Sequence, residues 1–75
     1  MAASLYVGSI AVFATVMDSF QRPTGEWATF GVTADGCRAI QLDDAQHGSI
    51  LVEWPESEAV QAQDYWHGMM AYWRQ

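Results

Sequence analysis

The sequence predicts an α+β fold: a four-stranded antiparallel sheet, a meander, with one C-terminal amphipathic helix packed on one face. Four stretches rich in β-branched and aromatic residues are separated by turn signals at 18–25, 34–36 and 43–48. After Pro55 the apolar period changes from that of a strand to that of a helix. The whole chain is 75 residues, one small domain over residues 1–75. That supports a thin core and leaves no room for a cofactor cavity with a catalytic shell, so no cofactor is expected.

The first strand is expected over residues 5–16 (LYVGSIAVFATV). It is bent at Gly8, because a dozen extended residues would span about 40 Å. Tyr6, Ile10, Val12 and Val16 make one face, and Leu5, Val7, Ala11 and Phe13 the other. A sheet with one wet face should alternate cleanly. Two apolar faces therefore predict a buried strand whose second face is covered by another subunit or a partner protein. The run has no Lys or Arg before Arg22, unlike a secretory signal. Ser4, Gly8, Ser9 and Thr15 interrupt it as a membrane span. A cytoplasmic protein is expected.

Residues 18–25 read as a loop marked by Pro23 and Gly25. Strands follow at 26–33 and 37–42, joined by Ala34-Asp35-Gly36. A two-residue Asp35-Gly36 turn would set Phe30 opposite Gln41 and mix the faces. A three-residue loop with left-handed Gly36 pairs Thr33 with Cys37, Phe30 with Ile40 and Ala28 with Leu42. The hydrophobic pattern selects the second register. Residues 43–48 (DDAQHG) form a polar loop, and 49–54 (SILVEW) the fourth strand, stopped by Pro55. Over 56–73, Ala59, Ala62, Tyr65, Trp66, Met69, Met70, Tyr72 and Trp73 fall on one arc at 100° per residue. Glu56 and Glu58 suit the start of this helix and Arg74 its end.

Composition excludes several classes. Nine acids against three arginines give a formal charge of −6, with no lysine, so a protein that neutralises nucleic-acid phosphates is excluded. A hydrophobic content of 51% excludes a disordered acidic tail. One cysteine excludes a disulfide framework.

Candidate chemical groups are few. Cys37 follows the hairpin turn with Asp35 and Arg38 nearby, neither of them a general base near neutral pH, and reads as a half-buried strand residue. Asp43, Asp44 and His47 are types that ligate hard metals, but their spacing matches no dedicated loop and reads as a solvated turn. Asp64 and His67 lie on the polar arc of the helix. Trp66, Met69, Met70 and Trp73 have the spacing of a core stripe, although methionine-rich stripes also serve binding grooves. No phosphate loop or nucleophile constellation is present, and an enzyme is not expected.

Charge distribution carries the functional reading. Between Arg38 and Arg74 there is no basic side chain, while Asp43, Asp44, Glu53, Glu56, Glu58 and Asp64 all fall there. Gathered on one face, they would dock on a basic, nucleic-acid-binding surface of another protein, with carboxylates in place of phosphates. In size, acidity, lack of motifs and compact sheet-plus-helix layout, the chain resembles small phage-encoded inhibitors of the anti-CRISPR type. The resemblance implies inhibition of a CRISPR effector complex by blocking its target-DNA or guide-binding surface, and it carries over no residue roles. The alternative expectation is a homodimeric structural or regulatory subunit, paired through the strand at 5–16, whose acidity serves solubility.

Overall fold

The computed structural model describes residues 3–44, 46 and 48–75. Five strands, β1 (Ser4–Val7), β2 (Phe13–Gln21), β3 (Trp27–Thr33), β4 (Arg38–Asp44) and β5 (Gly48–Trp54), precede a 3-10 turn (Glu56–Glu58) and helix α1 (Ala59–Trp73). The class is α+β with an antiparallel sheet and one C-terminal helix, but the sheet has five strands in the order β1-β5-β4-β3-β2. The meander runs from β2 to β5.

The extra strand comes from the N-terminus. The single strand expected over 5–16 is two, placed on opposite edges of the sheet. Gly8 takes φ +82°, where a residue with a Cβ is disfavoured, and ends β1 there. Residues 8–12 then run across the sheet face away from α1, and β2 begins beside β3. Nor is this segment buried, as its two apolar faces predicted. Leu5 is 63% and Val7 74% exposed, and Ile10, Val12 and Val16 are also open to solvent. Residues apolar on both faces report strand character, and neither burial nor which edge a strand joins. The loop expected from Asp18 is also shorter, because β2 continues to Gln21.

Gln41 holds the crossover. On β4 its neighbour Ile40 faces the helix, so Gln41 faces the crossover. Its Nε2 donates to the Ser9 carbonyl at 3.0 Å and the Ile50 carbonyl at 3.3 Å, and its Oε1 accepts from the Ala11 amide at 2.7 Å. The Gly8 amide donates to Ser49 O at one end, and the Ala34 amide to Val12 O at the other.

The β3–β4 hairpin has the register that the three-residue loop implies: Ala28 opposite Leu42, Thr29 opposite Gln41, Phe30 opposite Ile40. Thr33 N donates to Cys37 O at 2.8 Å, and Gly36 sits at φ +89°. Its inner face joins α1 in the core. Phe30 stacks on Trp66 at 5.5 Å between centroids, surrounded by Ala28, Ile40, Val52, Trp54, Ala62 and Met70. The helix buries a narrower stripe than the arc predicted. Ala62, Trp66 and Met70 are buried and Met69 and Trp73 partly so, whereas Tyr65 and Tyr72 are exposed.

Candidate functional site

The six acidic residues singled out by the sequence do not share one face. Asp43 and Asp44 end β4, Glu53 lies near the far end of β5, Glu56 is exposed in the 3-10 turn, and Asp64 is on the outer side of α1. Asp43 pairs opposite Ser49, four residues before Glu53 on β5. At a strand rise of about 3.3 Å the two carboxylates are therefore about 13 Å apart along the sheet. That exceeds the screening length of about 8–10 Å near physiological salt. Glu58 belongs to no surface: it is only 7% exposed, at the N-cap of α1. Closeness in sequence put these residues in one group, but a strand and a reversal of direction carry them to different ends and layers.

The β4 end is also of mixed charge. Asp43 and Asp44 line a depression of about 200 Å³ with Glu26, Arg22 and Trp73. The Arg22 guanidinium lies 4.9 Å from the Trp73 ring centroid, a cation–π contact. Asp43 Oδ1 accepts from Ser49 Oγ at 2.9 Å, and Asp44 Oδ1 from the Gln46 amide at 2.8 Å. These are turn and strand-end bonds. His47 lies outside the described residues, and among those described no three His, Cys, Asp or Glu side chains gather as a metal site.

A different acidic site is present on the crossover face. Between residues 10–12 and the β3–β4 hairpin runs a groove of about 370 Å³. Ile10, Val12 and Leu51 give it apolar walls, and Asp35 and Glu53 are its charged members. The three arginines belong to other surfaces. Arg22 is over Trp73, and Arg74 lies 5.0 Å from the Phe20 centroid and 3.6 Å from Asp18. Arg38 is opposite Val32 and Trp54, on the helix side of the sheet. In the sequence Asp35 reads as a turn residue and as a neighbour of Cys37. Its partnership with Glu53 depends on the long-range pairing that folds the hairpin against β5, and no local signal carries it.

The remaining candidates lie apart from this groove. Cys37 is half-buried, and its amide donates to Thr33 Oγ1 at 3.2 Å, fastening the hairpin. His67 lies on the opposite side of the molecule's core, lining a shallow depression with Met17, Asp18 and Gln63. There Trp66 Nε1 donates to Asp18 Oδ2 at 3.0 Å, which satisfies the indole. Asp64 is exposed on α1. The stripe of Trp66, Met69, Met70 and Trp73 packs into the core or against it. No protein-family model matches the chain, and no curated protein or solved structure shows significant similarity to it.

Proposed function

We propose that this chain is a non-enzymatic binding protein that grips a basic segment of another protein in the crossover groove. The observation that carries this reading is that Asp35 and Glu53 both line an apolar-walled groove, on a face that holds none of the three arginines. Such a groove suits an Arg or Lys side chain, whose aliphatic stem packs on Ile10 and Val12 while its head meets a carboxylate. The net charge of −6 adds long-range attraction. A basic nucleic-acid-binding surface is a partner of this chemistry, and its occlusion would make the protein an inhibitor. A CRISPR effector complex is the case that the anti-CRISPR resemblance implies.

Binding of a fluorescent Arg/Lys-rich peptide, followed by anisotropy, tests the reading. Double reversal D35K/E53K is expected to weaken binding by about ten- to thirtyfold, since Asp35 is exposed, Glu53 half-buried, and such charge pairs are each worth up to about 1 kcal/mol. The charge-matched reversal D44K/D64K, at two positions outside the groove, is expected to change it less than threefold at 150 mM salt. Equal losses from both would reduce the effect to net charge and overturn the groove.

A second reading, a homodimeric subunit whose acidity keeps it soluble, is favoured by a separate observation. Of the eleven large apolar side chains exposed among the described residues, seven lie in residues 5–17.

A further inference from the structure

The two edges of the sheet are built differently. β2 has register shifts between Phe13 and Thr15 and between Val16 and Asp18. Bulges and an edge charge of this kind discourage pairing with another chain. β1 has neither. Ser4-Leu5-Tyr6-Val7 is regular against β5, from Ser4 opposite Glu53 to Val7 opposite Ile50, and carries no charge and no proline.

The geometry also identifies which main-chain groups point outward. The Gly8 amide bonds Ser49 O, so Gly8 makes hydrogen bonds to β5. In an antiparallel ladder the bonded residues alternate. Ser4 and Tyr6 therefore share the role of Gly8, and the N–H and C=O groups of Leu5 and Val7 face away from the sheet.

The helix leaves a matching surface uncovered. At 100° per residue, Gln63, His67 and Arg74 lie on one flank of α1 and Tyr65 and Tyr72 on the other. His67 and Gln63 sit beside Met17 and Asp18, and Arg74 pairs with Asp18, so the first flank is on the β2 side. The second flank faces β5 and β1, and the Tyr65 ring lies 5.5 Å from Trp54 at the end of β5. Leu5 and Val7, opposite Val52 and Ile50, project on this same helix side. An open ladder and an apolar strip of Leu5, Val7, Tyr65 and Tyr72 thus lie together.

We propose that this edge pairs with the same edge of a second copy, continuing the sheet across a two-fold axis. The proposal gives the homodimer reading its geometry and is independent of the groove. An antiparallel strand is self-complementary. With Tyr6 opposite Tyr6 of the second copy, Leu5 exchanges main-chain bonds with Val7 of that copy, and the reverse pair does the same. The occupant is a second copy because the strip is uncharged, whereas a basic partner would be drawn to the acidic groove. Self-repulsion is small in this arrangement. The two Glu53 residues fall at opposite ends of the paired edge and about three strand spacings, roughly 14 Å, apart, beyond the screening length. A stable interface needs about 800 Å² per partner, about a sixth of the 4772 Å² surface, and Leu5, Val7, Tyr65 and Tyr72 are each more than half exposed to contribute to it.

Sedimentation equilibrium over micromolar to millimolar concentration, with hydrogen exchange on the same samples, tests the pairing. The wild type is expected to dimerise, with Leu5 and Val7 amides becoming protected as dimer forms. L5E/V7E alters two exposed side chains and is expected to weaken dimerisation at least about a hundredfold while leaving the circular dichroism unchanged. I10E, an equally exposed change on the crossover, is expected to leave it intact. A wild type that stays monomeric at millimolar concentration overturns both this pairing and the homodimer reading. A dimer that survives L5E/V7E, or that leaves the Leu5 and Val7 amides unprotected, overturns the pairing but keeps the homodimer. Peptide binding by monomeric L5E/V7E reports on the groove separately.

Discussion

Gln41 is a polar residue in the middle of a sheet face, and both ends of its amide are used. It gives the crossover the hydrogen-bond partners that a neighbouring strand would otherwise provide, to Ser9 O and from Ala11 N. Each such bond contributes about 0.5–1.5 kcal/mol net, and the groups left behind lose more when buried unpaired. Gln41→Ala is expected to lower stability by about 2–4 kcal/mol in urea titration and to open the Ala11 amide to exchange. A loss below about 0.5 kcal/mol would show that the crossover holds without it. Gly31 is constrained from the other side. A Cβ there would collide with the Thr15 carbonyl oxygen and meet the Phe13 ring at 3.0 Å. Neither role was legible in the sequence, where Gln41 is one outward position on a strand and Gly31 an ordinary strand glycine. Both depend on β2 and the crossover arriving from a distant part of the chain.

At the scale of elements, the turn and register of the hairpin from β3 to β4 were legible, but not its length: Asp43, Asp44 and Gly48, expected in a polar loop, belong to β4 and β5. Ala34-Asp35-Gly36 fixes the loop length, and apolar pairing of Phe30 with Ile40 fixes the register. The helix was legible in position but not in width. Periodicity counts a tyrosine as apolar wherever it falls, while the sheet beneath α1 covers only the stripe through Ala62, Trp66 and Met70. Substitutions along the helix should separate accordingly. Trp66→Ala, at 2% exposure and stacked on Phe30, is expected to cost about 3–5 kcal/mol. Tyr72→Ser is expected to stay within about 0.5 kcal/mol when melted at a concentration where the chain is monomeric. A large loss for Tyr72→Ser would mean that the flank is already packed within one copy. The split of the first strand was not legible because apolar residues continue on both faces past Gly8, and only the backbone turn there reveals that the chain leaves one edge for the other.

Across the whole molecule, acidity is spread and not concentrated where the sequence groups it. Asp43 and Asp44 share their depression with Arg22, Glu58 is buried, and Asp64 points away from both. The crossover brings Ile10 and Val12 beside Asp35 and Glu53 in an apolar-walled groove that holds no arginine. The same crossover leaves β1 as an open edge, so a single chain path produces both the acidic groove and the uncovered strand edge. The most direct measurement is an NMR titration of labelled protein with an Arg/Lys-rich peptide. Amide shifts are expected to concentrate in residues 10–12, 34–36 and 51–53. Shifts centred on Asp43 and Asp44 or on Asp64, or an even change over all acidic residues, would contradict a groove-borne function.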